Sequence, residues 1–225
     1  MSFQTLINGI STGTVYALIA IGFALVFNIL KFSNFSYGAT MTASAFIAYF
    51  LVASKGWGLF PTLVCSATAG ALISIIGEYV GFRRILKNHS PSTYFFVSSI
   101  TLGTLYEGIV TLKAGTNFYV YPNFFKESSV DILGAVVSKE NIIMLVISVA
   151  ALVVLALIIQ KTSIGRAIRA VSFDRDTAQL MGINATLIIQ VVFVISGIFG
   201  GLAGCFLGIK YTLTSTLGSL VVKGF

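Results

Sequence analysis

Residues 1–30, 59–77, 142–159 and 185–209 contain no charged side chain, and this constrains the chain more than any other feature. The run 142–159 is apolar at every position but Ser148. At about 1.5 Å of helical rise per residue it spans roughly 27 Å, the thickness of a bilayer's hydrocarbon core. A buried backbone with no water to bond must satisfy its own amides and carbonyls, which a helix does. Each run is therefore expected to be a transmembrane helix. A fifth, 93–112, carries Glu107 as its single charge. Composition closes off the alternatives. The chain is 56% hydrophobic and 9% charged over 225 residues, against about 25% charged in a typical soluble domain. So few charges cannot cover the surface of a soluble enzyme, and the apolar content excludes a disordered chain. Two cysteines, Cys65 and Cys205, both in apolar runs, do not make a disulfide scaffold; they read as small hydrophobes in packed helices.

The segment 33–54 is ambiguous. Its first half, SNFSYGATMTAS, is rich in hydroxyls and small residues, and only AFIAYFLVA is strongly apolar. Either a broken, partly re-entrant helix beside a polar path or a plain sixth helix fits. The fold expected is thus an all-α polytopic membrane protein of about six transmembrane or partly re-entrant helices, with residues 1–225 as one transmembrane domain.

The basic residues set the orientation. Arg83, Arg84 and Lys87 cluster in one loop, and Lys161, Arg166, Arg169 and Arg175 in another, together half of the 14 lysines and arginines. Both loops should be cytoplasmic. The loop 113–140 balances Lys113, Lys126 and Lys139 with Glu127, Asp131 and Glu140, and should face outside. The N-terminus then lies outside if 33–54 crosses once. Trp57, Phe60, Tyr49 and Tyr119 fall near the expected interfaces. The first basic residue is Lys31, so no positive segment precedes an apolar one and no cleavable signal is expected. The net charge of +7 is too scattered for a nucleic-acid surface.

No catalytic set stands out. His89 is the single histidine, sits in a basic loop without a cysteine or carboxylate neighbour, and reads as an interface residue rather than a metal ligand. No GxxxxGK[ST] occurs, so if ATP drives the protein another subunit must bind it. Gly197, Gly200, Gly201, Gly204 and Gly208 give overlapping GxxxG spacings in one helix, and Gly9 with Gly13 another, which point to close helix packing or a moving hinge. Glu78, five residues before Arg83, is expected to snorkel to the interface beside that basic neighbour. Glu107 lies deeper. It reads either as a group on a solute path or as a structural or interfacial carboxylate.

The most informative stretch is 161–184, KTSIGRAIRAVSFDRDTAQLMGIN, too polar to span and too patterned for a minimal turn. Ile164, Ile168 and Val171 recur at i, i+4 and i+7, with Arg166 and Arg169 on another side. Asp174 can cap a second short helix that ends at Gly182, with Ala178, Leu180 and Met181 as its apolar surface. Two short helices with exposed apolar residues suit a partner's groove; an amphipathic helix lying on lipid is the alternative.

At these residues the chain resembles the permease subunits of ABC importers for branched-chain amino acids, the high-affinity leucine type. GRAIRAVSFDRDTAQLMGIN resembles that family's cytoplasmic coupling loop, NGISTGTVYALIAIGFALVFNILKFSNFSYG its first helix and following motif, and EYVGFRRIL the end of its third helix. The resemblance implies that Gly165, Arg166, Ala167, Arg169, Ala170, Ala178 and Gly182 form the ATPase-coupling surface. It places Asn34, Phe35 and Gly38 on that family's motif near a solute path, and Tyr37 and Glu107 join them as candidate path residues. Family members often carry His and Glu where this chain has Tyr37 and Ala39, and Gln in place of Glu107. The ending TLGSLVVKGF resembles the start of a motif that continues into further helices, so the chain is expected to stop short of the whole permease. The implied function is alternating access in an ATP-driven importer of the bacterial inner membrane, moving branched-chain amino acids or a similar small organic solute. The implied partners are ABC ATPase subunits holding ATP–Mg, a second permease subunit (related or identical), a periplasmic or lipid-anchored solute-binding protein and the lipid bilayer, with no cofactor in this chain. An ion-coupled secondary transporter or a channel subunit is the alternative; the first would need intramembrane carboxylates, for which only Glu107 offers itself.

Overall fold

The computed structural model describes residues 3–88, 91–122, 124, 129–132 and 135–222; His89, Lys126 and Glu127 lie outside them. Six described helices are long and apolar enough to cross a membrane. They are α1 (Phe3–Leu30), α2 (Ser36–Lys55), α3 (Leu59–Gly77), α5 (Ser92–Ala114), α6 (Lys139–Lys161) and α9 (Ala185–Lys210), with α3 running through a π-helical turn, Glu78–Phe82, into the short α4 (Arg83–Lys87). Between α6 and α9 lie α7 (Ser163–Phe173) and α8 (Arg175–Leu180), and α10 (Leu217–Val222) follows α9. The all-helical polytopic expectation holds, with one addition: the loop 113–140 contains an antiparallel hairpin, β1 (Ser129–Ile132) and β2 (Ala135–Ser138), in which Ser129 faces Ser138.

The segment 33–54 is not re-entrant. α2 runs unbroken, and its hydroxyls bond back into their own helix: Thr40 Oγ1 donates to the Ser36 carbonyl at 3.0 Å, Thr42 Oγ1 to Gly38 at 3.1 Å and Ser44 Oγ to Met41 at 2.8 Å. Side chains that look polar in sequence therefore present little unsatisfied polarity to their neighbours. The reversal between α1 and α2 turns on Lys31, whose left-handed backbone (φ 57°) ends α1 where a glycine would be more usual.

α9 is the centre of the packing, lying against α1, α2 and most extensively α3. The glycines explain why. A Cβ on Gly70 would collide with the Gly197 carbonyl, and one on Gly201 with the Ser66 carbonyl, so α3 and α9 meet backbone to backbone. Ser66 Oγ donates across this seam to the Gly201 carbonyl at 2.7 Å, and Ser196 Oγ donates to Gly22 on α1 at 2.8 Å. In lipid, such close approach and interhelical hydrogen bonding replace the missing hydrophobic drive. Gly200 faces the Tyr37 ring, Gly204 the Met41 carbonyl and Gly208 the Tyr121 ring. The packing expectation is not met at Gly9 and Gly13, which have nothing among the described residues within 4 Å of where a Cβ would stand; two glycines at this spacing make a contact only where a neighbouring helix is present.

The helix ends sort into two groups. At one, Arg175 Nη1 of α8 donates to the Leu86 carbonyl of α4 at 3.2 Å, so the two basic loops share an end. At the other, Asn141 Nδ2 donates to Asn8 Oδ1 at 2.8 Å, and Tyr119 and Leu213 exchange backbone hydrogen bonds of 3.0 and 2.7 Å. There Tyr119 and Tyr121 stack edge-on against Tyr49, with ring centroids 5.2 and 5.4 Å apart. With α2 a full crossing, six spans alternate between the two ends.

Candidate functional site

The basic end carries the α7–α8 unit. Thr162 starts α7 by accepting from the Gly165 amide at 3.0 Å. Asp174 ends α7 and caps α8, its Oδ1 accepting from the amides of Asp176 (3.0 Å) and Thr177 (3.3 Å) and its Oδ2 from Thr177 Oγ1 (2.7 Å). The Thr177 hydroxyl, together with these amides, holds the Asp174 carboxyl below its usual range. Gly182 then adopts φ +84°, a left-handed turn that suits glycine. Ile168 and Val171 are buried beneath α7, but Ile164 stays 45% exposed, so only two of the three periodic residues anchor the helix.

The seven residues of the expected coupling surface do not all lie on a surface. Arg166, Arg169 and Gly182 are exposed, Ala167 and Ala170 are half-buried, and Gly165 and Ala178 are buried. Gly165 has no room for a side chain, because a Cβ would strike the carbonyls of Ile158 and Ile159. Arg169 also turns back, donating to the Ile159 carbonyl. Gly165 and Ala178 thus hold the unit against the bundle instead of presenting it. The exposed apolar groups are Phe173 (94% exposed), Leu180 (88%) and Met181 (79%). Phe173 and Met181 border a groove of about 540 Å³ between α7 and α8, with Asp174 and Thr177 in its wall. Leu180 and Met181 were legible in the sequence; Phe173 was not, because the 3.6-residue pattern of α7 does not reach it.

A second group lies at the start of α2. Asn34 is buried and its Oδ1 accepts from the Ser36 amide (3.1 Å) and hydroxyl (2.7 Å), so it forms the turn that starts the helix. Phe35 is 40% exposed, against the Phe96 ring. Tyr37 is buried between Gly22 of α1 and Gly200 of α9, and its hydroxyl makes no hydrogen bond among the described residues. Gly38 lies against α10, where Gly218 leaves no room for a Cβ beside the Gly38 carbonyl and its amide donates to Thr42 Oγ1 at 2.8 Å. Glu107 is half-buried on α5. It makes no hydrogen bond or ion pair with any of these described residues, so the structure does not join it to Asn34, Tyr37 and Gly38.

Glu78 departs most from expectation. It is fully buried, not snorkelled, although its basic neighbour is the one expected. Arg83 Nη2 reaches Glu78 Oε2 at 3.2 Å, and Gln190 Nε2 of α9 donates to the same oxygen at 3.4 Å. Gln190 was missed because nothing in an apolar helix's sequence says which distant carboxylate a lone amide will meet. Among the described residues no group of three or more metal-ligating side chains occurs.

Residues 5–221 match the protein family described as the permease component of branched-chain amino acid transport systems. The high-affinity branched-chain amino acid transport system permease protein BraD of Pseudomonas aeruginosa is 31% identical over 222 residues, covering 92% of this chain and 71% of its own length. LivH of Escherichia coli, described in the same words, is 27% identical over 224 residues with the same two coverages. A shorter likeness, 36% over 67 residues and 30% of this chain, is to the nucleoside ABC transporter permease protein NupB of Lactococcus lactis. No solved structure matches.

Proposed function

The chain belongs to the family of permease components of branched-chain amino acid transport systems, and from that premise we propose how its parts divide the work. It is a membrane-spanning permease subunit of an ATP-driven ABC importer, a multi-pass protein of the bacterial inner membrane. Its basic end faces the cytoplasm and its α7–α8 unit docks on ATPase subunits, which hold ATP–Mg. A second permease subunit, related or identical, completes the pathway, and a solute-binding protein delivers cargo to the opposite end. The solute is a branched-chain amino acid or a similarly small organic molecule. It passes near the start of α2, where Asn34, Phe35, Tyr37 and Gly38 lie, with Glu107 on a neighbouring helix. Since a solute drives a conformational equilibrium only by favouring one state, a few polar groups on the path suffice.

The observation that carries this reading is the exposure of Phe173, Leu180 and Met181 on two capped helices outside the six-helix bundle. Large apolar groups presented on a rigid element mark a protein contact, and in a permease family that contact is the motor. The test is co-purification in detergent of the permease with the ATPase encoded beside it. Wild type should retain the ATPase, and Leu180→Asp, on an 88% exposed side chain, should lose it without loss of folded permease. Gly182→Arg, which alters the left-handed turn as well, should do the same. Equal recovery of ATPase with all three would overturn the docking reading.

A further inference from the structure

The ion pair between Glu78 and Arg83 spans five residues, which an ordinary helix does not permit. At about 100° per residue, positions i and i+5 of an α-helix lie roughly 140° apart around the axis. They face each other here because the chain between them is a π-turn, closed by the Arg83 amide donating to the Glu78 carbonyl. Two further bonds support the turn from neighbouring helices. Ser98 Oγ of α5 donates to the Gly81 carbonyl at 2.8 Å, and Gln190 of α9 shares the Glu78 carboxylate. Isolated π-turns inside α-helices are rare and concentrate at functional positions. A π-turn is also discrete: returned to α geometry, it would swing Arg83 away from Glu78 and rotate everything beyond it.

What lies beyond it is α4, and the Leu86 carbonyl in α4 accepts from Arg175, the first residue of α8. Arg175 Nε is buried and makes no hydrogen bond among the described residues, so the bond to Leu86 ties the guanidinium to α4. A continuous chain of contacts therefore runs from α8 through Leu86 and the π-turn to Gln190 on the central helix. We propose that Glu78, Arg83 and Gln190 form a latch that selects the π state, and that Arg175 ties this latch to the α7–α8 unit, so that displacement of the unit is passed to α9 by opening or closing the turn. All four are positioning residues; none is required to touch solute. The proposal supplies the two-state element that a coupling route needs. Its functional part rests on α7–α8 being the ATPase dock, while the latch itself does not.

Hydrogen–deuterium exchange on the full chain in lipid nanodiscs tests it. Glu78→Gln and Arg83→Met should each speed exchange over residues 79–87 by about tenfold or more, the equivalent of roughly 1.4 kcal/mol, while α9 stays protected. The double variant should be no faster than the faster single one, since each removes the same contact. Arg83→Lys, a milder change that keeps the charge, should produce a smaller increase of about threefold. Arg175→Ala, which does not touch the π-turn, should also loosen 79–82. Unchanged exchange in the Glu78 and Arg83 variants, or additive effects in the double, would overturn the latch; unchanged exchange at 79–82 in Arg175→Ala would overturn the tie. In the assembled importer, Glu78→Gln should still bind the ATPase but lose solute-dependent stimulation of ATP hydrolysis by about tenfold, within the usual range of coupling between sites; stimulation equal to wild type would overturn the transmission. A wild-type permease that fails to hold the ATPase counts against the docking reading alone.

Discussion

α6 and α9 read almost alike in sequence: each is a long apolar helix whose interior carries no charge. In the structure they live in different surroundings. Within the most apolar stretch of each, 61% of α9 residues are buried in protein but only 17% of α6 residues are. α6 buries Met144, Ser148 and Leu155 and leaves residues such as Val146, Val153 and Leu157 on the outside. What separates the two is glycine, not hydrophobicity. α9 has Gly197, Gly200, Gly201, Gly204 and Gly208 where α6 has Val, Leu and Ile. In lipid a large apolar side chain is as well placed outside as inside, so apolarity reports solubility in the membrane, and the absence of side chains reports where another backbone must come close. α2 makes the same point from the polar side. Thr40, Thr42 and Ser44 are buried, yet they bond back into their own helix.

The strongest way to break this comparison is to add the same bulk to both helices. Gly201→Leu would drive a side chain into the Ser66 carbonyl, well beyond the ordinary 1–3 kcal/mol of overpacking, about the whole margin of many folds. No monodisperse protein should survive size-exclusion chromatography in detergent, whereas Leu157→Phe on the outer side of α6 should elute and melt like wild type. Equal behaviour of the two would sink the comparison. A smaller effect sharpens it: Ser66→Ala and Ser196→Ala each remove one interhelical hydrogen bond around α9. Each should cost about 0.6 kcal/mol in a reversible unfolding titration, while Ser148→Ala on α6, whose hydroxyl has no partner among the described residues, should cost nothing measurable or stabilise slightly.

The smallest expected effect concerns α8, outside both helices and held by a cap rather than by packing. The Asp174 carboxyl is lowered below its ordinary value of 3.8 by the Thr177 hydroxyl and backbone amides. A group depressed by folding contributes stability above its unfolded pKa and loses it as pH falls through the folded one. Protection of the Asp176 and Thr177 amides should therefore be flat from neutral pH to about 5 and decline only at pH values below 3.8. Asp174→Asn, which still caps but cannot titrate, should remove the decline. Persistence of the decline in that variant would move its cause elsewhere.

Five of the six crossings, the shared end of the two basic loops and the two-helix shape of 161–184 were legible, because each rests on a local signal: a long apolar run, a cluster of cations, an Asp at a cap and a Gly at a stop. For 33–54 the sequence left a broken, partly re-entrant helix and a plain sixth helix both open, because composition does not reveal that a hydroxyl bonds back into its own helix; the unbroken α2 is the second of these. Glu78 was misplaced for a related reason. Its position near a helix end suggested water, and only the π-turn and the distant Gln190 make a buried carboxylate tenable. In the α7–α8 unit, Gly165 and Ala178 look like surface in a motif and are anchors in space. Small residues mark close approach without saying whether the approaching partner is the chain itself or another protein.

The seam between α3 and α9 also bears on how the protein is made. Ser66 and Gly201, which share a hydrogen bond, are 135 residues apart in the chain. At about 5–20 residues per second, α3 waits in the membrane for roughly 7–27 s before its partner leaves the ribosome. Throughout that interval the bare backbone around Gly70 and the Ser66 hydroxyl are available to lipid or to any passing small-residue helix. α9 is the helix α3 is shaped to receive, and until it is synthesised the insertion machinery must keep that face of α3 from being claimed by the wrong neighbour.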